Sequence, residues 1–283
     1  MNQHDTYTSP LSARNASPEM CRIWSPRHKF TTWRKIWLAV AEAQQACGLD
    51  ISDEQLDEMR GTLEVTDEDM ELAAKYEREL RHDVMAHVHA WGDKCPKARA
   101  IIHLGCTSQD VVCNGDLVQL AQAQRVVTQK IARVVSSLGE VASQHKYVPT
   151  LGFTHYQPAQ PVTVGRRVAN WAADLMIIFQ RVEIASGSVR LRGFRGATGT
   201  QASFLSLFNK QPKHVDEFEE KALKVFAESN NYVVDWSAYN FDKEEYELNT
   251  FLLTGQTYPR VADAMVLADL ASIAAVLHKI ATD

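Results

Sequence analysis

The sequence of 283 residues has little cysteine and no cysteine pattern. Its five cysteines are odd in number, are scattered along the chain and show no Cys-x-x-Cys spacing: Cys21, Cys47, Cys95, Cys106 and Cys113. This usage argues against a disulfide framework and is typical of a reduced cytosolic protein. We therefore expect a cytoplasmic protein without structural disulfides.

Long apolar runs and an excess of positive charge are also lacking. The uninterrupted apolar runs stay well below the roughly 18 residues that a membrane-spanning helix needs. The N-terminus has neither a basic start nor an apolar stretch, so we expect no signal peptide. The net charge is −5 and the two signs are mixed. The basic cluster of Arg190, Arg192 and Arg195 is short and local, so we expect neither a nucleic-acid partner nor a membrane partner.

Several catalytic and cofactor motifs are missing. The sequence contains no glycine-rich phosphate loop and no Gly-x-Ser-x-Gly nucleophile motif. His87 and His89 lie five and seven residues after His82, whereas the two histidines of a zinc-binding helix are spaced i, i+4. The Cys106 thiol lies near His103 in the sequence, but such a thiol is more often inert than catalytic. We expect no metal and no cofactor.

Helical periodicity is the strongest pattern that is present. Apolar residues recur every three or four positions over residues 117–141 and again over residues 164–189, which predicts two long helices packed side by side. A third apolar helix is predicted from near Arg260 to Asp283, and its apolar residues cover more than one face. Such a helix is expected to be buried on most sides, inside a bundle or an oligomer.

Shorter patterns precede these helices. Three Ser-Pro pairs predict irregular structure over residues 1–27, because the helical conformation is disfavoured for the residue before proline. A helix is predicted from Phe30 to Gly48, a short one after the capping box of Ser52 and Gln55, and a polar one over residues 67–91. The predicted fold class is mostly α.

The predicted domain organisation has two parts. A small helical N-terminal domain covers residues 1–110, and an incomplete long-helix bundle covers residues 111–283. The last helix ends without a cap, a glycine or a proline. We therefore expect a chain that is truncated at its C-terminus and lacks a C-terminal domain.

Four polar segments interrupt the apolar patterns: residues 81–89, residues 103–110, residues 150–160, and residues 196–201 together with 254–257. In the third segment His155 can carry a proton near neutral pH. When that segment is taken alone, a helix cap with a surface histidine is the more common explanation. Thr107 and Ser108, at the predicted start of a long helix, form either a cradle for a carboxylate or phosphate or a simple N-cap.

Together these segments resemble the adenylosuccinate lyases of the fumarase/aspartase superfamily, in their eukaryotic form. The resemblance runs from Ser9 to the end of the chain. It is carried by four ordered motifs: Leu80-Arg-His-Asp-Val-Met-Ala-His-Val-His89, Ile102-His-Leu-Gly-Cys-Thr-Ser108, Thr150 to Gln160, and Gly199-Thr-Gln-Ala-Ser-Phe204. A sister lyase acting on argininosuccinate, fumarate or aspartate remains an alternative. The Arg81-His-Asp-Val-Met-Ala-His87 run and Thr254-Gly-Gln-Thr257 favour the purine enzyme.

The resemblance implies a reaction and roles for named residues. The family eliminates fumarate from adenylosuccinate, giving AMP, and from SAICAR, giving AICAR, in a homotetramer whose active sites are shared between subunits. It implies that His155 is the general acid and that His82 orients or shares protons. The residues implied to bind substrate are Arg14, Asn15, Arg81, Asp83, Thr107, Ser108 and Gln256, with Arg14 on the nucleotide phosphate and Thr107 and Ser108 on a succinyl carboxylate.

Three departures from the family pattern stand out. Asn15 follows Arg14 where the family usually has tyrosine, which puts a nucleotide contact in doubt. The segment around residues 229–248 is longer than usual and is predicted to be an exposed hairpin or loop. The signature loop Ser-Ser-x-Met-Pro-x-Lys-x-Asn-Pro, which carries the family's general base, is absent from residues 1–283. The alternative function is therefore a catalytically inactive fragment or isoform that only assembles with full-length subunits.

Overall fold

A computed structural model describes residues 4–187, 189–229, 239–240, 245–246 and 250–283. Its helices are α1 (Ser12–Asn15), α2 (Pro18–Ile23), α3 (Pro26–Ala46), α4 (Asp53–Arg60), α5 (Asp67–Leu80), α6 (Asp83–Lys94), α7 (Ser108–Gln144), α8 (Val164–Gly187), α9 (Ala202–Leu207), α10 (Pro212–Ser229) and α11 (Val261–Thr282). Its strands form two antiparallel pairs, β1 (Pro149–Thr154) with β2 (Gln157–Thr163) and β3 (Tyr239–Asn240) with β4 (Glu245–Tyr246). The predicted mostly α fold and the three long helices are confirmed.

The chain divides into two compact units. Unit 1 comprises residues 1–122 and 189–259, and unit 2 comprises residues 123–188 and 260–283. The boundary predicted at residue 110 stays a prediction. The compact units are divided elsewhere because residues 189–259 return to the first unit.

Two of the three serines that precede prolines near the N-terminus, Ser17 and Ser25, start helices in a region for which the sequence predicts irregular chain. The Ser17 side chain accepts a hydrogen bond from the Met20 backbone N–H at the start of α2. The Ser25 side chain does the same for the His28 N–H at the start of α3. Proline is well tolerated at the first helical position, because its missing N–H would have no partner there. A serine followed by proline therefore marks a helix start here.

The core of unit 1 forms around α3. Trp33, Ile36 and Trp37 on this helix are almost completely buried. Trp91 of α6 packs against Trp37, and their ring centroids are 5.9 Å apart. Helix α10 packs on α3. The short helix α4 begins with the predicted capping box, since the Ser52 side chain and the Gln55 side chain each accept a hydrogen bond from the other residue's backbone N–H.

The polar helix predicted over residues 67–91 is two helices, so that prediction is wrong in its continuity. α5 ends at Leu80, and Arg81 adopts a left-handed conformation with φ 54°. His82 then caps α6, and its Nδ1 accepts a hydrogen bond from the Met85 backbone N–H at 3.3 Å. No glycine or proline marks the break, because Arg81 itself takes the left-handed position that glycine usually occupies at the end of a helix. The break places Arg81 and His82 at a chain reversal between two helices.

His87 makes the stability of unit 1 dependent on pH. Burial, together with the positive charge of Arg34, lowers the pKa of His87 from 6.5 to about 4. Below pH 6.5 the unfolded chain therefore binds a proton that the folded chain refuses, so stability falls as the pH drops from 6.5 towards 4. A shift of this size corresponds to roughly 3 kcal/mol at pH 4.

We expect His87→Gln to flatten the dependence of the free energy of unfolding on pH by about one proton over this window. Urea denaturation at a series of pH values measures that slope. His145 is exposed, and His145→Gln should leave the slope unchanged. An equal slope for His87→Gln and the unsubstituted chain would contradict the assignment.

Unit 2 consists of the β1–β2 hairpin, α8, α11 and the C-terminal part of α7. Its small core joins Ile131, Val182 and Ile273, one residue from each of the three helices. Arg181 of α8 forms an ion pair with the buried Asp269 of α11. The unit thus contains the helical packing that the apolar periodicity predicted.

Helix α11 is more exposed than the sequence predicted. Its buried residues are Asp269 and Ile273, whereas several of its large apolar side chains are exposed: Val261, Met265, Leu267, Leu270 and Leu277. Within the described part of the chain, α11 is the one helix long and apolar enough to cross a membrane by length and composition. A core helix of a bundle meets the same criterion, so this is weak evidence for a membrane span. Within this chain α11 buries only Asp269 and Ile273, and its burial in an oligomer stays a prediction.

Most of the segment predicted as an insertion, residues 229–248, lies outside the described residues. The described part beyond Ser229 is the pair of two-residue strands β3 and β4, in which Tyr239 pairs with Tyr246.

Candidate functional site

The polar segments of unit 1 meet where α6 and α7 begin. The His82 side chain lies at the start of α6 and its Nε2 is 3.2 Å from Ser108 Oγ, at the start of α7. Because His82 Nδ1 accepts from the Met85 N–H, the neutral ring carries its proton on Nε2 and donates it to Ser108. The Oδ1 atom of the next residue, Asp83, lies 3.7 Å from His82 Nδ1. The structure therefore brings together two predicted site residues that are 26 positions apart.

Thr107 occupies the N-cap position of α7. Its backbone N–H donates to Asp110 Oδ2 at 2.8 Å, so the first turn of the helix is closed by a carboxylate. The chain enters this turn through Gly105, whose φ is +74° and at which a Cβ would lie 2.5 Å from Leu207. The first N–H groups of a helix have no intrahelical partner and carry partial positive charge. Thr107 and Ser108 thus lie at a helix start, and the two roles predicted for them, the N-cap and the cradle for an anion, stay predictions.

The next polar layer is a buried ion pair between Asp110 and Arg192. Both side chains are 0% exposed. Burial raises the pKa of the Asp110 carboxyl, and the N–H groups of Thr107 and Gly196 together with the Arg192 guanidinium oppose that rise. In the sequence Arg192 belongs to a short basic cluster with Arg190 and Arg195. In the fold Arg192 is an interior residue, and Arg195 pairs with Glu219 at 3.2 Å.

The loop over residues 196–201 and the segment over residues 254–257 adjoin this pair. Gly199 has φ +84°, and a Cβ there would lie 1.9 Å from the Thr254 carbonyl oxygen. Arg192 Nη2 donates to the Gly255 carbonyl at 3.0 Å. Gln256, the next residue, is exposed. The two halves of the fourth predicted segment are therefore in contact, as their pairing in the sequence analysis implied.

The remaining predicted residues of unit 1, Arg14, Asn15 and Arg81, are exposed. Arg14 and Asn15 end the short helix α1. Asn15 lines a cleft of about 550 Å³ whose other lining residues are Tyr7, Leu11, Ser12, Ala16, Met20 and Trp24. Arg81 lies beside a second cleft with Ala74, Glu77 and Arg78.

His155 belongs to unit 2, and its setting differs from the helix cap considered in the sequence analysis. His155 and Tyr156 form the two-residue turn between β1 and β2, with φ values of 53° and 59°. Two successive left-handed residues are the geometry of a type I′ hairpin turn. Both side chains are exposed, Tyr156 completely. The segment therefore presents His155 at the tip of a hairpin.

A family model described as "Lyase" matches residues 14–235. The chain belongs to this lyase family. It is 42% identical to the adenylosuccinate lyase of Saccharomyces cerevisiae and 40% identical to that of Schizosaccharomyces pombe, in both cases over 100% of this chain and 55% of the relative. The chain thus spans about half the length of the curated relatives that it matches.

Solved structures support the same fold. The 3-carboxy-cis,cis-muconate lactonizing enzyme from Pseudomonas putida superposes with a TM-score of 0.76 at 21% identity, over 96% of this chain and 57% of that one. A fumarate lyase from Mesorhizobium sp. BNC1 gives a TM-score of 0.72 at 22% identity, over 93% and 56%. At these identities the likeness establishes the fumarase/aspartase-type fold alone.

Sequence reasoning missed the interior polar residues of this lyase. Asn114 Oδ1 accepts hydrogen bonds from the backbone N–H groups of Arg192 and Gly193, at 2.8 and 3.2 Å. Glu219 accepts from the Phe194 N–H at 2.8 Å. The available signal was a polar residue on the apolar face of a predicted helix: Asn114 lies four residues after Asp110 on α7.

Two further groups near the site are held in unreactive forms. Burial, with the charge of His82, lowers the pKa of His103 to about 4, and its Nδ1 accepts from Trp37 Nε1 at 2.9 Å. Burial and the charge of Asp110 raise the pKa of the Cys106 thiol. Both residues therefore stay neutral at pH 7. Within the residues that the structure describes, no cluster of three or more His, Cys, Asp or Glu could hold a metal ion.

Proposed function

We propose that the protein containing residues 1–283 is an adenylosuccinate lyase that releases fumarate from adenylosuccinate and from SAICAR. The main support for this proposal is the sequence identity of 42% and 40% to two adenylosuccinate lyases over the whole of this chain. The contact between His82 and Ser108 at the start of α7 supports the same function, because it joins two of the motifs on which the resemblance rests.

The proposed reaction is an acid–base β-elimination. A base removes a proton from the succinyl carbon, the electron pair of that C–H bond forms the double bond of fumarate, and the C–N bond breaks. The departing nitrogen takes a proton from the general acid, for which we propose His155. An imidazole suits this role because it exchanges protons near neutral pH. We propose that His82 orients the substrate or shares a proton within the pocket.

Binding of the substrate is proposed for the other predicted residues. Thr107 and Ser108 would hold a succinyl carboxylate at the positive N-terminal end of α7, where charge building up on the substrate is stabilised. Arg14 would bind the nucleotide phosphate, and Arg81, Asp83, Asn15 and Gln256 would complete the pocket. No cofactor is needed for this chemistry, and we propose a cytoplasmic location.

A homotetramer with shared sites is part of the proposal. His155 lies at an exposed hairpin tip, where a side chain can reach another subunit, and α11 exposes large apolar side chains that an assembly would cover. We also propose that residues 1–283 alone are inactive, because they contain the proposed acid and lack the family's Ser-Ser-x-Met-Pro loop. Acid–base groups typically contribute about 10² to 10⁴ each in rate.

The test is fumarate release, measured by chromatography, for the product of the complete natural reading frame and for residues 1–283 alone. The substrates are adenylosuccinate, SAICAR, argininosuccinate and aspartate. We expect fumarate from the first two with the complete product and from none with residues 1–283. Fumarate from argininosuccinate or aspartate in place of adenylosuccinate would overturn the proposed substrate class. Turnover by residues 1–283 alone would refute the requirement for the loop.

A non-catalytic subunit is the second candidate, and the exposed apolar side chains of α11 favour it, because an assembly would cover them. If the complete reading frame shows no turnover, this candidate predicts that the chain co-purifies with a co-expressed full-length subunit. It further predicts that the mixed assembly has altered fumarate release.

A further inference from the structure

We propose that Asp110 and Arg192 are positioning residues, a buried pair that holds three polar segments of unit 1 in one arrangement around the candidate carboxylate cradle. The segments are residues 103–108, residues 196–201 and residues 254–257. The consequence for catalysis rests on the proposed function, whereas the consequence for local structure does not.

Asp110 connects the first two segments through its carboxylate. Oδ2 accepts from the Thr107 N–H at 2.8 Å, within the first turn of α7. Oδ1 accepts from the N–H groups of Arg195 and Gly196, at 2.9 and 3.1 Å. It also accepts from Arg192 Nη1. One side chain therefore fixes the helix start that carries Ser108 to the beginning of the loop 196–201.

Arg192 extends the connection to the third segment. Its Nη2 donates to the Gly196 carbonyl at 2.8 Å and to the Gly255 carbonyl at 3.0 Å. Gly255 directly precedes Gln256. The position of the Gln256 backbone relative to Ser108 is thus set through the chain Gly255, Arg192, Asp110 and Thr107, in which each step is a hydrogen bond or an ion pair.

Asn114 holds the same pair from one helical turn further along α7. Its Oδ1 accepts from the N–H groups of Arg192 and Gly193, and its Nδ2 donates to the Gly193 carbonyl at 3.1 Å. The backbone that carries Arg192 is therefore fixed before its guanidinium reaches the other segments. This support makes the guanidinium a rigid connector with little freedom to adopt another rotamer.

The energetics favour a positioning role over one in stability alone. A buried ion pair pays a large desolvation penalty, and well-packed apolar residues of similar size are often equally stabilising. Apolar side chains cannot donate to the carbonyls of Gly196 and Gly255. The polar pair therefore fixes the orientation of the segments that carry these carbonyls. Small displacements of groups that contact a substrate lower reaction rates strongly.

The test compares Arg192→Met, Asp110→Asn and the double variant Asp110→Asn/Arg192→Met. Each single variant leaves one partner without its ion pair, so we expect the two single variants to be the least stable. The double variant leaves no buried charge at this site, and its unfolding midpoint should return towards that of the unsubstituted chain. Stability and positioning are thereby separated in one protein.

Hydrogen exchange on residues 1–283 provides the structural measurement. In the double variant, amides of residues 105–108, 196–201 and 254–256 should exchange at least about tenfold faster, while amides of the α3 core stay protected. The matched control is a second buried ion pair in the described part of unit 1, in which Arg34 Nη2 lies 3.0 Å from Asp69 Oδ2. Arg34→Met/Asp69→Asn should leave exchange in the three segments unchanged.

Kinetics of the complete reading frame provide the catalytic measurement. We expect kcat of the double variant to fall at least about tenfold with a smaller change in KM, because misplaced groups lose transition-state contacts. The proposal would be overturned if the double variant regained its unfolding midpoint and its three segments exchanged as slowly as in the unsubstituted chain. If the unsubstituted protein releases no fumarate, the proposed function fails and the exchange result alone decides the positioning role.

Discussion

Replacing His155 should lower kcat for fumarate release by about 10² to 10⁴, the range typical of a lost general acid. The proposed leaving group is a nitrogen, which departs poorly unless it is protonated as the C–N bond breaks. His155 has the side chain and the exposure to deliver that proton from the tip of the β1–β2 hairpin. The measurement is steady-state fumarate release by the complete reading frame at saturating substrate.

The choice of substitution follows from the backbone at the hairpin tip. His155 has φ 53°, a left-handed conformation that asparagine adopts far more readily than alanine. His155→Asn therefore keeps the turn and removes the titratable ring, whereas His155→Ala adds backbone strain to the loss. We expect both variants to lose turnover, with the hairpin better preserved in His155→Asn.

A neighbouring residue offers the matched control. Tyr156 occupies the second turn position with φ 59° and is fully exposed. Tyr156→Asn should keep kcat within a few-fold of the unsubstituted protein, since no proton transfer is assigned to this side chain. Near-normal turnover by His155→Asn would refute the general-acid role. Equal losses in the two variants would show that the hairpin shape matters and the imidazole does not.

The parts of this fold that were predictable from the sequence are those set by local periodicity. α7, α8 and α11 follow apolar patterns that repeat every three or four residues, whatever the helices pack against. The capping box at Ser52 was equally local, because both of its hydrogen bonds join residues three apart. Such features need no knowledge of the tertiary structure.

The hairpin at His155 and the break at Arg81 were missed for a related reason. Strands β1 and β2 are largely exposed, and the alternating apolar residues of β1, Leu151 and Phe153, lie on its exposed side, so the pattern marks no buried face. Their turn lacks the asparagine or glycine that usually identifies a type I′ hairpin in a sequence. At Arg81 the break carries no glycine or proline, and arginine is a good helix former, so the sequence gives no signal for the end of a helix there.

The sequence predicted which segments form the candidate site. It did not predict the buried hydrogen bonds and ion pairs that connect them. Arg192 in the sequence is one of three nearby arginines, and nothing local distinguishes the buried one from a solvated one. Its partner Asp110 is 82 positions away. Long-range pairs of this kind depend on how the chain returns to unit 1 after α8. The structure supplied that connection, and with it the interior layer behind Thr107 and Ser108.

The second large effect is expected at Gly199, in the loop that contacts residues 254–255. A Cβ at this position would lie 1.9 Å from the Thr254 carbonyl oxygen and 3.0 Å from the Thr254 carbonyl carbon. These are backbone atoms, so no side-chain rotation relieves the overlap, and the loop or the segment must move. The residue also has φ +84°, where alanine costs about 1–2 kcal/mol. With overpacking of about 1–3 kcal/mol added, Gly199→Ala should reduce the free energy of unfolding by about 3 kcal/mol.

Gly48 isolates the overlap from the backbone strain. Its φ is +91°, close to that of Gly199, but no atom lies within 4 Å of a Cβ placed there. Gly48→Ala should therefore cost only the conformational term of about 1 kcal/mol. Urea denaturation of both variants gives the comparison, and the excess loss in Gly199→Ala measures how firmly the loop 196–201 is held against the segment 254–257. Equal losses would mean that the loop yields freely, which would also weaken the case that Asp110 and Arg192 hold these segments in one arrangement.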